Sequence, residues 1–282
     1  MSTELLRDIL TANATYAEAF SRADPALLAK LAKGQSPKIC WLGCSDSRVS
    51  AELCVSSLIC VVGAWLIRSM GVMSGCRSTG VAPGSIFVHR NIAQCFHPGD
   101  NSALAAITYA ITQLKVEAII VCGHTGCGGV KAAMMAAQEE SVNGAPTPVT
   151  SASMKVISDW VAPIKQLALD QLTAANMSIE AAPSNGHPHT SYDPLSPHSL
   201  ATLTDHHVAE TVRQVAESDV VREAWASGMK LSVHGWVYHV ATAKLRDLDI
   251  GVEGVDKKSE SLQSRPSSYA GSEPPDEMED EE

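Results

Sequence analysis

The sequence predicts an α/β fold: a single domain with a central, mostly parallel β-sheet flanked by helices. Three observations carry this expectation. Lys38 to Gly43, with Ile39-Cys40-Trp41-Leu42 at its centre, and Val116 to Cys122, with Ala118-Ile119-Ile120-Val121, are short continuous apolar runs. Such runs suit strands covered on both faces. Around them lie segments whose apolar residues recur at spacings of three and four, the helical period. Finally, the two runs lead into Cys44 and His124, and open parallel sheets place their sites at the carboxyl ends of strands.

Taken in order, Leu5, Ile9, Tyr16 and Ala17, then Leu27, Leu28 and Leu31, give two amphipathic helical patterns, the second closed by Gly34. Residues 1–35 thus read as an N-terminal helical arm. Beyond the first strand, Asn101 opens a helix carrying Leu104, Ile107, Ile111 and Leu114, which feeds the Val116 strand. After Cys127 another helix carries Val130, Ala133, Met134 and Ala137, and its glycine-rich start leaves backbone N–H groups beside Cys127. Thr204 or Asp205 is expected to cap one long helix through Val208, Val212, Val215 and Trp225, which Gly228 ends. Strands follow at Leu231 to Val240 and near Leu245 to Ile250.

A chain of 282 residues with 45% hydrophobic content can bury one large core with appendages. The net charge of −10 argues against a nucleic-acid surface, and much of it is local. Seven acids, Glu273, Asp276, Glu277, Glu279, Asp280, Glu281 and Glu282, crowd the end with no Lys or Arg among them. Residues 251–282 therefore read as a disordered acidic tail. Glu4 and Asp8 interrupt any acid-poor transit pattern, and no charged start leads into an apolar stretch. A cytoplasmic protein without a membrane partner is expected.

The chemistry lies in two runs, Cys44-Ser45-Asp46-Ser47-Arg48 and His124-Thr125-Gly126-Cys127. Together they offer Cys44, His124 and Cys127 as ligands for one Zn2+ ion per subunit. Catalytic zinc takes three protein ligands of this kind and keeps a fourth position for water, whereas a structural site would want a fourth Cys or His nearby. The other six cysteines (Cys40, Cys54, Cys60, Cys76, Cys95 and Cys122) read as small buried apolar residues. A disulfide framework is not expected at this length without a secretory signal.

These runs, with Gly34-Gln35-Ser36-Pro37, Trp41-Leu42-Gly43, Pro83-Gly84-Ser85-Ile86-Phe87-Val88-His89-Arg90-Asn91 and His234-Gly235-Trp236-Val237-Tyr238, make a chain that resembles the β-class carbonic anhydrases, in its middle the fungal members. The resemblance implies a catalytic domain over residues 36–250, with a loosely matching segment at about 144–203. It implies reversible hydration of carbon dioxide to bicarbonate and a proton by zinc-bound hydroxide. Asp46 would pair with Arg48 and accept a hydrogen bond from the zinc water, or swing in as a fourth ligand and close the site. Gln35 would donate to the substrate, commonly across a subunit boundary, and Phe87, Ile92 and Tyr109 would form the apolar wall and rim. Trp41, Arg90 and Tyr238 match a regulatory bicarbonate site of some members. A homodimer or higher even assembly follows from the same likeness, since the family lays such helical arms across a partner.

One stretch departs from the family pattern. The connection from Cys44 to Phe87 is about two dozen residues longer than the usual one of the resembled family, an excess that a compact loop does not explain, and its surplus, near 54–78, is apolar. At Cys54 to Ile67 it is too short to span a membrane, which takes about 20 residues. We read it as a translated retained intron in preference to an extra helix or a partner-binding hairpin. Uniform presence of codons 54 to 78 in message and protein would refute that reading. A disrupted site would instead leave a silent zinc, thiol or scaffold protein, the alternative function.

Overall fold

The computed structural model describes residues 2–51, 83–146, 148–181 and 192–254. The 54–78 insertion and the tail beyond residue 254 lie outside these residues. The chain opens with two helices, α1 (Ser2–Ala23) and α2 (Pro25–Lys33). Asp24 caps α2 by accepting from the Leu27 N–H at 2.8 Å, and Pro25 stands in the first turn, where its missing N–H costs nothing. Leu5, Leu6, Ile9 and Leu10 are all exposed on α1, so the apolar stripe legible in the sequence finds no cover within the described residues.

The core is a six-stranded sheet. Strands β1 (Ile39–Cys44), β2 (Ile86–Asn91), β3 (Ala118–His124) and β4 (Ser232–His239) run parallel in the spatial order β2-β1-β3-β4. Two short strands, β5 (Lys244–Asp247) and β6 (Val252–Glu253), pair antiparallel with the outer edge of β4. Cys40, Trp41 and Leu42 in β1 and Ile119, Ile120 and Val121 in β3 are essentially sealed from solvent. Both faces of the sheet are covered, which is why these strands read as unbroken apolar runs.

One face packs on α3 (Asn101–Thr112), the later turns of α7 (Pro197–Ala216) and α8 (Asp219–Ala226). The other packs on α4 (Gly128–Asn143) and α6 (Ala162–Ala181), and α5 (Ala152–Trp160) precedes α6. On α6 the buried Ile164, Ala168 and Leu172 recur every fourth residue and seat it against α4. No described helix is long and apolar enough to cross a membrane.

Two expectations need correction. The helix expected from Thr204 begins at Pro197, because Ser196 accepts from the Ser199 N–H and caps it. Thr204 sits inside, its hydroxyl donating to the Leu200 carbonyl at 2.8 Å. That helix also ends at Ala216, and Ser218 restarts the chain as α8, so Val215 and Trp225 belong to different helices. The strand expected near Leu245 to Ile250 is β5, which stops at Asp247, two residues before Asp249 takes a left-handed φ of 54°, and Val252–Glu253, read as the start of the tail, pairs with β4 as β6.

Candidate metal centre

Register brings the two chemical runs together. Gly43 of β1 pairs with Cys122 of β3, so Cys44 and His124 leave adjacent strands at the same carboxyl end. From His124 the chain must turn sharply into α4, and Gly126 supplies the left-handed φ of 68° that a side chain would oppose. Cys127 then takes the N-cap of α4, where the N–H groups of Gly129 and Val130 meet its sulfur. The sulfurs of Cys44 and Cys127 and a ring nitrogen of His124 lie within 4.8 Å of one another. All three residues are buried, at 5%, 4% and 1% exposure.

The hydrogen bonds indicate which atom of His124 is free. Its Nδ1 sits 3.0 Å from the Thr125 carbonyl and donates there, which fixes the tautomer. Among the described residues Nε2 is buried with no hydrogen-bond partner. A buried lone pair without a donor is costly unless a cation takes it. Tetrahedral zinc would hold sulfur and nitrogen ligands about 3.5 to 3.8 Å apart, compatible with the observed cluster. The two thiols interact so closely that each shifts the other. The hydrogen bond from Cys127 holds the Cys44 thiol well below its ordinary value against the cost of burial, and the same contact pushes Cys127 up. A cation binds the thiolate forms, so metal uptake here would release protons.

Beside the trio, Asp46 is gripped by Arg48. Oδ1 accepts from the Arg48 backbone N–H at 2.9 Å and from Nε at 3.0 Å, and Oδ2 accepts from Nη2 at 2.7 Å. Arg48 holds the Asp46 carboxyl well below the usual carboxylate range. Nη2 of Arg48 also donates to the Gly126 carbonyl at 3.2 Å, tying the pair to the turn between His124 and Cys127. That acceptor is a backbone atom, so no residue type in the sequence announces it. Oδ2 of Asp46 lies 3.9 Å from Nε2 of His124, on the edge of the cluster.

The remaining expected residues divide. Arg90 donates from Nε to the Cys44 carbonyl at 2.7 Å and from Nη2 to the Asp46 carbonyl at 2.5 Å, so it holds the ligand loop. Trp41 meets Trp236 edge-on, with ring centroids 6.4 Å apart, and Tyr238 is buried in the same core cluster. Ile92 is 48% exposed and lies against Gly129, two residues past Cys127: a Cβ at Gly129 would stand 3.5 Å from Ile92 and 2.9 Å from Ala93. Phe87 and Tyr109 pack on each other at 5.8 Å on the α3 side of the sheet. Gln35 is exposed on the link from α2 to β1 and makes no hydrogen bond among the described residues.

Behind the centre, α7 supplies His207, which sequence reasoning did not single out. Its Nε2 donates to the Ala93 carbonyl at 2.8 Å, and Cys95 lies 3.9 Å away. Burial drives its pKa down from 6.5 to about 4. The folded chain therefore refuses a proton that the unfolded chain accepts between these values. Stability from this group is complete above pH 6.5 and is lost as pH falls towards 4, by roughly 2 kcal/mol at pH 5. Urea midpoints measured at pH 7.5 and pH 5 should drop more steeply in the native chain than in a His207→Gln variant. Equal slopes would clear His207 of this part in acid sensitivity.

Comparison with known proteins follows the same lines. The family model described as carbonic anhydrase matches residues 76–245, beginning at the far end of the 54–78 stretch and so after Cys44. A carbonic anhydrase of Emericella nidulans is 29% identical over 247 residues, 88% of this chain and 85% of that protein. Among solved structures, the β-carbonic anhydrase CafA of Aspergillus fumigatus is 29% identical, with a TM-score of 0.61 over 87% of this chain and 91% of that one. A tetrameric β-carbonic anhydrase of Sordaria macrospora shares the fold at 24% identity and a TM-score of 0.61, over 88% of this chain and 99% of its own. With its mostly parallel sheet and Cys-His-Cys cluster, the chain belongs to the carbonic anhydrase family, as a β-class member of the fungal kind.

Proposed function

We propose that this chain catalyses the reversible hydration of carbon dioxide to bicarbonate, with Cys44, His124 and Cys127 holding one zinc ion per subunit. The observation that carries this reading is the buried trio, with its unpartnered His124 Nε2, standing beside an Asp46 carboxylate held by Arg48. Zinc bound there supplies Lewis acidity, lowering the pKa of water from about 15.7 to about 7 and making a nucleophile at neutral pH.

The chain's own residues do the rest. Thr125 keeps His124 in the tautomer whose Nε2 lone pair faces the cluster. Arg48 keeps Asp46 ionised, so that its carboxylate can only accept a hydrogen bond; an attacking water thereby directs its proton at Asp46 and its lone pair elsewhere. Arg90 fixes the loop that carries both Cys44 and Asp46 through their carbonyls. Ile92 lines the approach beside Gly129, an apolar surface suited to a small apolar substrate.

The experiment is stopped-flow hydration of carbon dioxide, run on chelator-stripped protein before and after one equivalent of zinc. Turnover that appears only with zinc supports the reading, and none in zinc-loaded, folded protein sinks it in favour of a silent zinc or thiol protein. Assembly belongs to the same proposal. The uncovered apolar face of α1 and the tetrameric relative support a homo-oligomer in which Gln35 reaches a neighbouring site. Gln35→Ala should then cut hydration about tenfold, the net worth of one hydrogen bond, while zinc content and sedimentation stay as in the native chain. Undiminished activity would remove Gln35 from the site.

A further inference from the structure

After β2 the chain enters a turn that its residues do not favour. Ala93, at φ 58° and ψ 26°, and Gln94, at φ 47°, are both left-handed and neither is glycine. L-residues avoid that region, and two in succession persist only where the surroundings impose them. Here three side chains from three elements seize the turn's carbonyls. Asn91 Nδ2 donates to the Cys95 carbonyl at 2.7 Å, His207 Nε2 to that of Ala93 at 2.8 Å, and Trp160 Nε1 to that of Ile92 at 2.9 Å.

The turn faces the start of α4. Ala93 and Ile92 press on Gly129, where a Cβ would come within 2.9 Å of Ala93, so their approach to the helix carrying Cys127 is as close as backbone without a side chain permits. Ala93 is fully buried, yet Ile92 beside it stays 48% exposed. Strain that served packing alone would bury the larger side chain. This turn buries the alanine and presents the isoleucine next to the metal ligands.

We infer that Trp160, at the end of α5 in the 144–203 segment, is a positioning residue for the active site: its indole N–H holds the Ile92 carbonyl and so sets the apolar wall beside Cys127. Its ring meets His97 edge-on, with centroids 4.5 Å apart and planes at 74°, which aims the N–H at the turn. The segment with the loosest family match therefore reaches back to the centre and tunes the substrate approach. The inference rests on the proposed carbon dioxide hydration and on Ile92 lining that approach.

Trp160→Phe keeps an aromatic ring against His97 and removes the N–H. In zinc-loaded full-length protein it should raise KM for carbon dioxide about three- to tenfold, with kcat within about twofold and zinc still at one equivalent. Ile92→Ala should raise KM in the same direction. If both act through one wall, the double variant is no worse than Ile92→Ala alone. A raised KM in Ile92→Ala with an unchanged KM in Trp160→Phe would overturn the positioning role and leave the wall intact. An unchanged KM in Ile92→Ala, in an enzyme that still hydrates carbon dioxide, would overturn the wall and the inference with it, but not the reaction. Loss of zinc or of the folded state in Trp160→Phe would make the residue a structural one and also overturn the proposal.

Discussion

Cys127→Ala should purify with no more than a few hundredths of an equivalent of zinc and hydrate carbon dioxide at least about a thousandfold more slowly, a loss of about 4 kcal/mol in transition-state stabilisation. The size follows from what remains. Cys44 and His124 alone leave a cation with half its tetrahedral set, and the remaining thiol loses the neighbour whose hydrogen bond holds its pKa down. The fold should survive, because α4 is anchored by the buried Val130, Ala133, Met134 and Ala137. Far-ultraviolet circular dichroism of the variant should therefore overlay that of zinc-stripped native protein. Zinc retained near one equivalent would remove Cys127 from the ligand set.

Much of this architecture is legible in the sequence because burial and period coincide. Ile39 to Leu42 and Ile119 to Val121 are strands buried on both faces, and an unbroken apolar run is what such a strand must be. The place of Cys44 and His124 follows, since a residue just past such a run sits at the sheet's carboxyl end. Where two signals compete, the sequence is ambiguous. Thr204 and Asp205 have the chemistry of caps, but the Ser196-Pro197 pair upstream wins, and the later side chains turn inward or meet Arg246. The grip of Arg48 on Gly126, of Arg90 on Cys44 and Asp46, and of Trp160 on Ile92 are all bonds to carbonyls. Every residue carries a carbonyl, so such bonds leave no mark in composition or spacing. The left-handed Ala93 and Gln94 are hidden for a related reason: nothing local favours the conformation, and the elements that impose it come from far along the chain.

The second large effect is expected in Arg48→Ala, which should keep its zinc and its fold yet lose on the order of a hundredfold in hydration. The Arg48 side chain is half exposed, so solvent screens the pair and its removal should barely move the melting temperature. What it removes is direction. Three donors from Arg48 hold both oxygens of Asp46; the substitution removes the two side-chain donors and leaves only the backbone N–H on Oδ1, so the ionised carboxylate loses the grip on Oδ2, which stands 3.9 Å from His124 Nε2. With a divalent ion at the centre, that carboxylate is the nearest anion, and it should take the coordination position that catalysis needs. In cobalt-substituted protein the visible spectrum should then shift to that of a closed centre and stop responding to added anions. Arg48→Lys tests geometry against charge: an ammonium keeps the charge but cannot hold both oxygens in a planar fork, so activity should return only in part. A stable, zinc-loaded Arg48→Ala protein with native turnover and an open cobalt spectrum would show that Asp46 needs no restraint, and the pair would then be an ordinary surface contact.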